Sequence, residues 1–172
     1  MAYEAQFDFA AYFDQFELAP ALHSRVVLRT SCAVDGNNFF ALTRAPMGGR
    51  PVPGLAQTAT WALTYPLLTY PGVRVDTMID NVRILANDPH QLCAAVREFL
   101  ANVRAARLTL NDANEWEGLT DAQITANCRI AGKRRVFLGE EYLDDGRICN
   151  TQDNVDKLRD AYDLFERKRA GE

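Results

Sequence analysis

Apolar and polar side chains alternate in several short stretches of the chain, and this period of two predicts strands. Residues 3–9 mix aromatic and polar positions in this way, which predicts a first strand. Residues 25–30 and 38–43 show the same pattern, and the residues between them, 34–37, are typical of a turn. We therefore expect a strand followed by a β-hairpin in the first quarter of the chain.

Two further hairpins are predicted in the rest of the chain. Between residues 73 and 85, apolar residues alternate on both sides of Asp80 and Asn81, which puts this pair at or near the tip of a hairpin. Asparagine tolerates the left-handed backbone that tight hairpin turns require, and aspartate adopts it less often. A third hairpin is predicted over residues 127–143, around a Gly-Lys turn at 132–133.

Apolar residues at helical spacing predict three helices. Residues 88–106 begin with an Asp-Pro pair, which suits a helix start because Asp accepts from free N–H groups and Pro fits the first turn. The apolar stripe of this helix is Leu92, Val96, Phe99, Leu100 and Val103. A shorter helix is predicted over residues 55–63, ended or kinked by Pro66, and a last one from about Asp153. The prolines and glycines of residues 45–54 argue against regular structure there.

Antiparallel hairpins interleaved with helices predict an α+β fold, with an antiparallel sheet covered by helices on one face. With 172 residues, 48% of them hydrophobic, the chain is long and apolar enough for one domain. The net charge of −4 argues against a strongly basic nucleic-acid-binding module. No apolar run approaches the ~20 residues of a membrane helix. The first residues lack the features of a secretory signal, so we expect an intracellular protein of the cytoplasm or nucleus.

Two carboxylates stand out by their positions. Asp8 ends the first predicted strand among aromatic residues, and Asp80 lies at the turn of the central hairpin. If these elements are neighbours in one sheet, both side chains can converge on one edge, where acidic oxygens would suit Mg²⁺. Two such ions could clamp the attacking and leaving oxygens of a phosphoryl transfer. A single Asp in a hairpin turn is more often structural, and that alternative stays open.

The Gly-rich segment after Pro46 has two interpretations. Glycine removes the side-chain obstacle, so the backbone here could approach a nucleotide or a template strand closely. The same residues are equally typical of an ordinary loop between a strand and a helix.

Two segments in the first third of the chain resemble motifs of the reverse transcriptase palm, of the retrotransposon or retroviral type. Residues 7–13 resemble the first motif of that family, a strand-end Asp with an aromatic residue five positions on. Residues 42–48, with Pro53 and Gln57, resemble the second motif, a Pro-x-Gly turn that leads into a helix with a downstream Gln.

Three later stretches extend the resemblance over nearly the whole chain. Residues 78–81 (Met-Ile-Asp-Asn) resemble the YxDD hairpin, and the helix and strand of residues 88–110 resemble the fourth motif. Residues 137–139 (Phe-Leu-Gly), followed by Asp145-Gly146, resemble the primer-grip hairpin. The five stretches follow the order of the family, which makes the set more specific than any one motif.

The resemblance implies a palm with an RRM-like, ferredoxin-type core and RNA-directed DNA polymerase activity. Its cofactor would be Mg²⁺ or Mn²⁺, and its partners would be an RNA or DNA template-primer and a deoxynucleoside triphosphate. By resemblance, Asp8 and Asp80 would be the metal-binding carboxylates, with Asn81 in the third catalytic position. Phe9 would lend its backbone to the metal or triphosphate, and Phe13 would be the aromatic gate against the sugar of the incoming nucleotide.

The remaining roles that the resemblance implies concern template and primer. Met47 and Gly48 would lie beside the nascent base pair, with Arg50 and Gln57 nearby on the template side. The hairpin residues Phe137, Leu138 and Gly139 would support the primer end.

The chain also departs from the family. Ile79-Asp80-Asn81 replaces the Tyr-x-Asp-Asp ending, so a neutral amide takes the place of the second carboxylate. Only seven residues precede Asp8, so we expect the fingers to be missing, together with a full thumb. Residues 1–150 would form the palm, and residues 151–172 a C-terminal helix that starts a thumb or connector.

We therefore expect a fragment or truncated copy of a retroelement polymerase, inactive as an isolated chain. A degenerate or domesticated palm with a structural or interaction role and no catalysis is the alternative. A different palm-type nucleotidyltransferase or cyclase is a third interpretation. Sheet surface left open by missing fingers and thumb would favour self-association or a protein partner.

Overall fold

The computed structural model describes residues 1–34, 37–131, 135–143 and 147–170, with side chains except in segments 30–38 and 163–170. The chain divides into two compact units, Met1–Cys128 and Arg129–Glu172. In the described part of the chain, no helix is long and apolar enough to cross a membrane.

In its described residues, the first unit combines five strands with helices, in agreement with the predicted α+β class. Its strands are β1 (Tyr3–Asp8), β2 (Val27–Val34), β3 (Asn37–Ala41), β4 (Arg74–Met78) and β5 (Asn81–Ala86). Its α-helices are α1 (Pro20–His23), α2 (Val52–Thr64), α3 (Pro89–Ala105), α4 (Ala113–Trp116) and α5 (Asp121–Cys128). Two short 3-10 helices, Tyr12–Gln15 and Tyr65–Thr69, complete it.

The central sheet has the strand order β1-β5-β4, and both pairings are antiparallel. The strands β2 and β3 form the separate hairpin that the alternation predicts, and residues 35 and 36 of the predicted turn lie outside the described residues. In the central sheet Phe7 faces Val82 and Ala5 faces Ile84. All four are buried in one apolar core, whereas the opposite face of β1 carries polar side chains because side chains alternate along a strand.

Helix α3 supplies much of this core, as its sequence predicts. Asp88 accepts a hydrogen bond from the His90 amide at 3.0 Å and so caps the helix. Four of the five residues of the predicted stripe are buried in the core, namely Leu92, Val96, Phe99 and Val103, and Leu100 packs against them. After the helix, the predicted strand is reduced to a single antiparallel bridge between Leu110 and Phe9.

Helix α2 begins earlier than its sequence predicts. The density of Pro and Gly in residues 45–54 argues against regular structure, yet the helix begins at Val52. Pro51 and Pro53 are tolerated because the first helical turn has free N–H groups in any case. The helix ends at Thr64, and Pro66 lies in the following 3-10 helix, which confirms the predicted end.

The second unit contains a three-stranded antiparallel sheet and the last helix. Its elements are β6 (Arg135–Phe137), β7 (Glu140–Tyr142), β8 (Ile148–Asn150) and α6 (Gln152–Ala170). The hairpin predicted over residues 127–143 is wrong in its first half, because residues 127 and 128 end helix α5, where Cys128 is buried in the core. The predicted turn at 132–133 lies outside the described residues, and so do Asp145 and Gly146 of the primer-grip resemblance.

Candidate functional site

The hairpin between β4 and β5 turns through two residues, Ile79 and Asp80, because Met78 and Asn81 form the last cross-strand pair. Asn81 is therefore the first residue of β5, and the left-handed position is taken by Ile79, with φ of 53°. A β-branched residue rarely adopts this conformation. The sequence correctly predicts the hairpin, but the residue that takes the left-handed backbone is not the asparagine.

Asp8 and Asp80 lie at the same end of the central sheet. Asp8 is the last residue of β1 and faces Asn81 across the strand pair. The next residue, Phe9, donates its backbone amide to the carbonyl oxygen of Asp80 at 3.0 Å. The fold thus brings Asp8 and Phe9 next to Asp80 and Asn81, although about 72 residues separate the two pairs in the chain.

Each of the two carboxylates accepts a hydrogen bond from an asparagine. Asn81 Nδ2 donates to Asp80 Oδ1 at 2.9 Å, and Asn111 Nδ2 donates to Asp8 Oδ2 at 2.6 Å. The Asn111 backbone amide also donates to the Asp8 carbonyl at 2.9 Å. The sequence does not predict Asn111 as a site residue, because the chain around it shows only that it follows an alternating Leu-Thr-Leu segment.

These groups are suited to a hard divalent cation. Each asparagine bond occupies one carboxylate oxygen, and a carboxylate keeps lone pairs on its second oxygen for a metal. Carboxylate oxygens are ligands that Mg²⁺ and Mn²⁺ prefer. Among the described residues no group of three or more His, Cys, Asp or Glu side chains could hold a metal ion. The site therefore has two carboxylates, and the Asn81 amide adds no negative charge to them.

Aromatic residues follow Asp8 in the sequence and pack into the core. The Phe9 ring is buried and stacks on Tyr12 with ring centroids 4.4 Å apart. The Tyr12 hydroxyl lies 2.8 Å from Thr60 Oγ1. Burial raises the pKa of Tyr12, the Thr60 hydrogen bond opposes that rise, and the negative charge of Asp80 adds to it. Phe13, the predicted gate, is half-buried against the same core.

The predicted nucleotide and template residues lie before and within α2. Met47 is 81% exposed, Gly48 has a left-handed backbone with φ of 90°, and Arg50 is exposed. Unlike Met47 and Arg50, Gln57 is engaged within the protein, because its side-chain oxygen accepts a hydrogen bond from the Ile79 amide at 2.8 Å. The structure thus puts Gln57 against the hairpin turn that carries Asp80.

The predicted primer-grip residues form the β6–β7 turn of the second unit. Leu138 and Gly139 both have positive φ, 52° and 78°, as the type I′ form of a two-residue hairpin turn requires. The Gly139 carbonyl accepts hydrogen bonds from the Thr151 amide at 2.9 Å and from Asn154 Nδ2 at 3.0 Å. Phe137 is buried, whereas Leu138 is 49% exposed.

Comparison with solved structures shows a similarity of fold. The foamy viral protease-reverse transcriptase dRH, in complex with double-stranded DNA, superposes with a TM-score of 0.65 and 14% identity over 92% of this chain. The foamy viral protease-reverse transcriptase with DNA gives 0.63, also at 14% identity over 92% of this chain. Prototype foamy virus protease-reverse transcriptase gives 0.53 at 18% identity, over 64% of this chain and 14% of that one.

The fold is reverse-transcriptase-like. The chain spans about a quarter of the length of the first two proteins, 24% and 28%. No protein-family model matches the chain, and a search of curated proteins finds no sequence match. The similarity therefore concerns the fold of the backbone.

Proposed function

We propose that this chain is the palm of an RNA-directed DNA polymerase, from a retroelement or retrovirus, in which Asp8 and Asp80 hold the catalytic divalent cations. The observation that carries the proposal is that Asp8 and Asp80 lie at one end of a reverse-transcriptase-like sheet, where the amide of Phe9 donates to the Asp80 carbonyl at 3.0 Å. The reaction would be nucleotidyl transfer onto a primer 3′-hydroxyl.

The residues of the site have distinct tasks in this proposal. Asp8 and Asp80 supply negative charge and oxygen ligands to Mg²⁺ or Mn²⁺, and Phe9 supplies its backbone. When bound, such ions make the primer hydroxyl a better nucleophile and stabilise the leaving pyrophosphate. Phe13 would contact the sugar of the incoming nucleotide and disfavour a 2′-hydroxyl.

Template and primer would contact residues outside the carboxylate pair. Met47 and Gly48 would lie beside the new base pair, and the exposed Arg50 would contact the template. The Phe137–Gly139 turn would support the primer end. Because the chain spans about a quarter of the reverse transcriptases that it resembles, synthesis would require the parts that those longer proteins contain.

Titration with Mn²⁺, followed by electron paramagnetic resonance of the free ion, tests the proposal directly. We expect saturable binding by the native chain and its loss in Asp8→Asn and in Asp80→Asn, since each removes one of two negative ligands. Asp112→Asn is the matched control, because Asp112 is an exposed aspartate close in sequence to Asn111. Equal Mn²⁺ binding in all four proteins would refute the proposal.

The second candidate function is a palm-like interaction module without catalysis. Asn81 favours it, since this residue donates its amide to Asp80 and adds no charge to the site. This candidate predicts no saturable Mn²⁺ binding, together with a protein or RNA partner that is retained by the Asp8→Asn and Asp80→Asn double variant. Loss of that partner in the double variant would instead favour the polymerase palm.

A further inference from the structure

Ile79 is in a backbone conformation that its own side chain disfavours. Its φ of 53° lies in the left-handed region, where branching at Cβ produces steric conflict with the backbone. Such a conformation persists only when the surrounding structure imposes it. Since Ile79 directly precedes Asp80 in a two-residue turn, whatever imposes its conformation also positions the Asp80 carboxylate.

Two side chains of α2 bind both polar backbone groups of Ile79. Gln57 Oε1 accepts the Ile79 amide at 2.8 Å, and the Thr60 hydroxyl donates to the Ile79 carbonyl. The other end of the Gln57 amide donates to Thr77 Oγ1 at 3.2 Å, which fixes its orientation. Hydrogen bonds with α2 therefore hold both the amide and the carbonyl of Ile79.

The Thr60 end of this contact is in the core. Thr60 is fully buried, and its hydroxyl lies 2.8 Å from the Tyr12 hydroxyl. Thr60 Oγ1 also lies 3.1 Å from the Ala56 carbonyl, which the Tyr12 hydroxyl approaches to 3.3 Å. Because each hydroxyl has one hydrogen, donation from Thr60 to Ile79 leaves Tyr12 to donate either to Thr60 or to Ala56. Tyr12 is itself stacked on Phe9, the residue after Asp8. The positions of the two carboxylates are thus linked through Phe9, Tyr12 and Thr60.

We infer that Gln57 and Thr60 are positioning residues that hold Ile79 in the left-handed conformation and thereby set Asp80 for metal binding. The inference rests on the proposed function, because it gives Asp80 a metal to bind. It assigns Gln57 a role on the metal side of the site, in addition to any contact with a template.

The first test measures Mn²⁺ affinity in variants of the two positioning residues. We expect Gln57→Leu and Thr60→Val to weaken binding by about tenfold or more, the range found when residues that orient metal ligands are removed. Thr60→Ser keeps the hydroxyl and should keep the native affinity. Thr58→Val is the matched control, since Thr58 is exposed on the same helix and its hydroxyl donates to the Gly54 carbonyl within that helix, at 2.8 Å.

The second test is rescue by glycine. Glycine adopts the left-handed conformation without steric cost, so Gln57→Leu combined with Ile79→Gly should recover most of the lost affinity. A merely structural role for Gln57 predicts no recovery, because the packing change of the Leu substitution remains. If the double variant binds Mn²⁺ as weakly as Gln57→Leu alone, the inference is wrong.

A metal-free readout separates this inference from the proposed function. The three-bond coupling between the amide and Hα protons of residue 79 reports its φ by nuclear magnetic resonance. We expect Gln57→Leu to change this coupling, while Thr58→Val does not. A native chain that binds no Mn²⁺ refutes the proposed function. An unchanged coupling in Gln57→Leu refutes the positioning role, whatever the metal result.

Discussion

Asn111 donates a 2.6 Å hydrogen bond to Oδ2 of Asp8, a residue 103 positions earlier in the chain. The bond is possible because Leu110 pairs with Phe9, and this bridge fixes the segment after α3 against the end of β1. Gln15 strengthens the same contact, since it bonds both the amide and the carbonyl of Thr109, at 2.7 and 3.0 Å. Asp8 is therefore oriented by a residue on a distant part of the chain.

Removing this donor should weaken both the fold and the metal site. We expect Asn111→Ala to lower the free energy of unfolding by about 1 kcal/mol, the usual contribution of such a bond, and to weaken Mn²⁺ binding several-fold. Urea denaturation and Mn²⁺ titration measure the two effects. Asn114→Ala, an exposed residue of α4, is the control, and equal behaviour of both variants would contradict the orienting role.

A third carboxylate, at position 81, should strengthen cation binding. Asn81→Asp would add an acid next to Asp80, and like charges at short range oppose each other until a cation neutralises them. We expect this variant to melt at a lower temperature than the native protein without metal, and to bind Mn²⁺ more tightly. Thermal melting with and without Mn²⁺ is the measurement. Asn114→Asp adds the same charge elsewhere and should show neither effect.

The ion pair of Arg83 and Asp76 should make stability depend on acid pH. Arg83 is nearly buried, and its guanidinium lies 2.6 Å from Asp76 Oδ2. Burial alone would raise the pKa of Asp76, but hydrogen bonds and charge from Arg83, with Arg74, outweigh it and lower the pKa. A carboxyl with a lowered pKa stabilises the fold at neutral pH, and this contribution is lost as pH falls through the lowered pKa.

We therefore expect Asp76→Asn to lower the free energy of unfolding by about 2 kcal/mol at pH 7. The loss is smaller than for a fully buried pair because Asp76 keeps some exposure. The difference from the native protein should shrink below pH 3.8, the ordinary pKa of the group. Urea denaturation across pH 2.5–7, chosen to bracket the ordinary carboxyl range, measures it. Asp121→Asn removes an exposed pair with Arg97 and should change stability little at any pH.

A side chain at Gly139 should destabilise the second unit. A Cβ there would lie 2.0 Å from Asn154 Nδ2, in addition to the cost of positive φ. We expect Gly139→Ala to lower stability by about 2 kcal/mol or more. Gly118→Ala is the comparison, since its φ of 70° is equally left-handed but its Cβ would meet open space. Thermal melting should show the larger loss for Gly139→Ala, and Asn154→Ala should reduce the difference.

Local patterns predicted the elements whose hydrophobic period is unbroken. Helix α3 was predicted because Asp88 caps it and its stripe repeats at helical spacing, and β1 because its side chains alternate. Prediction failed where composition was used without context. The prolines at the start of α2 fit its first turn, and residues 127 and 128 continue a helix because Cys128 packs into the core.

By itself, the sequence determined that Asp8 ends a strand and that Asp80 lies at a hairpin turn, because alternation and turn residues are local signals. Only the tertiary structure decided that Ile79 takes the left-handed position, that Gln57 accepts a hydrogen bond from its amide, and that Asn111 donates one to Asp8. The physical reason is that these hydrogen bonds join residues 22 and 103 positions apart. Such pairs meet only when the strands, α2 and the segment after α3 have packed on one core.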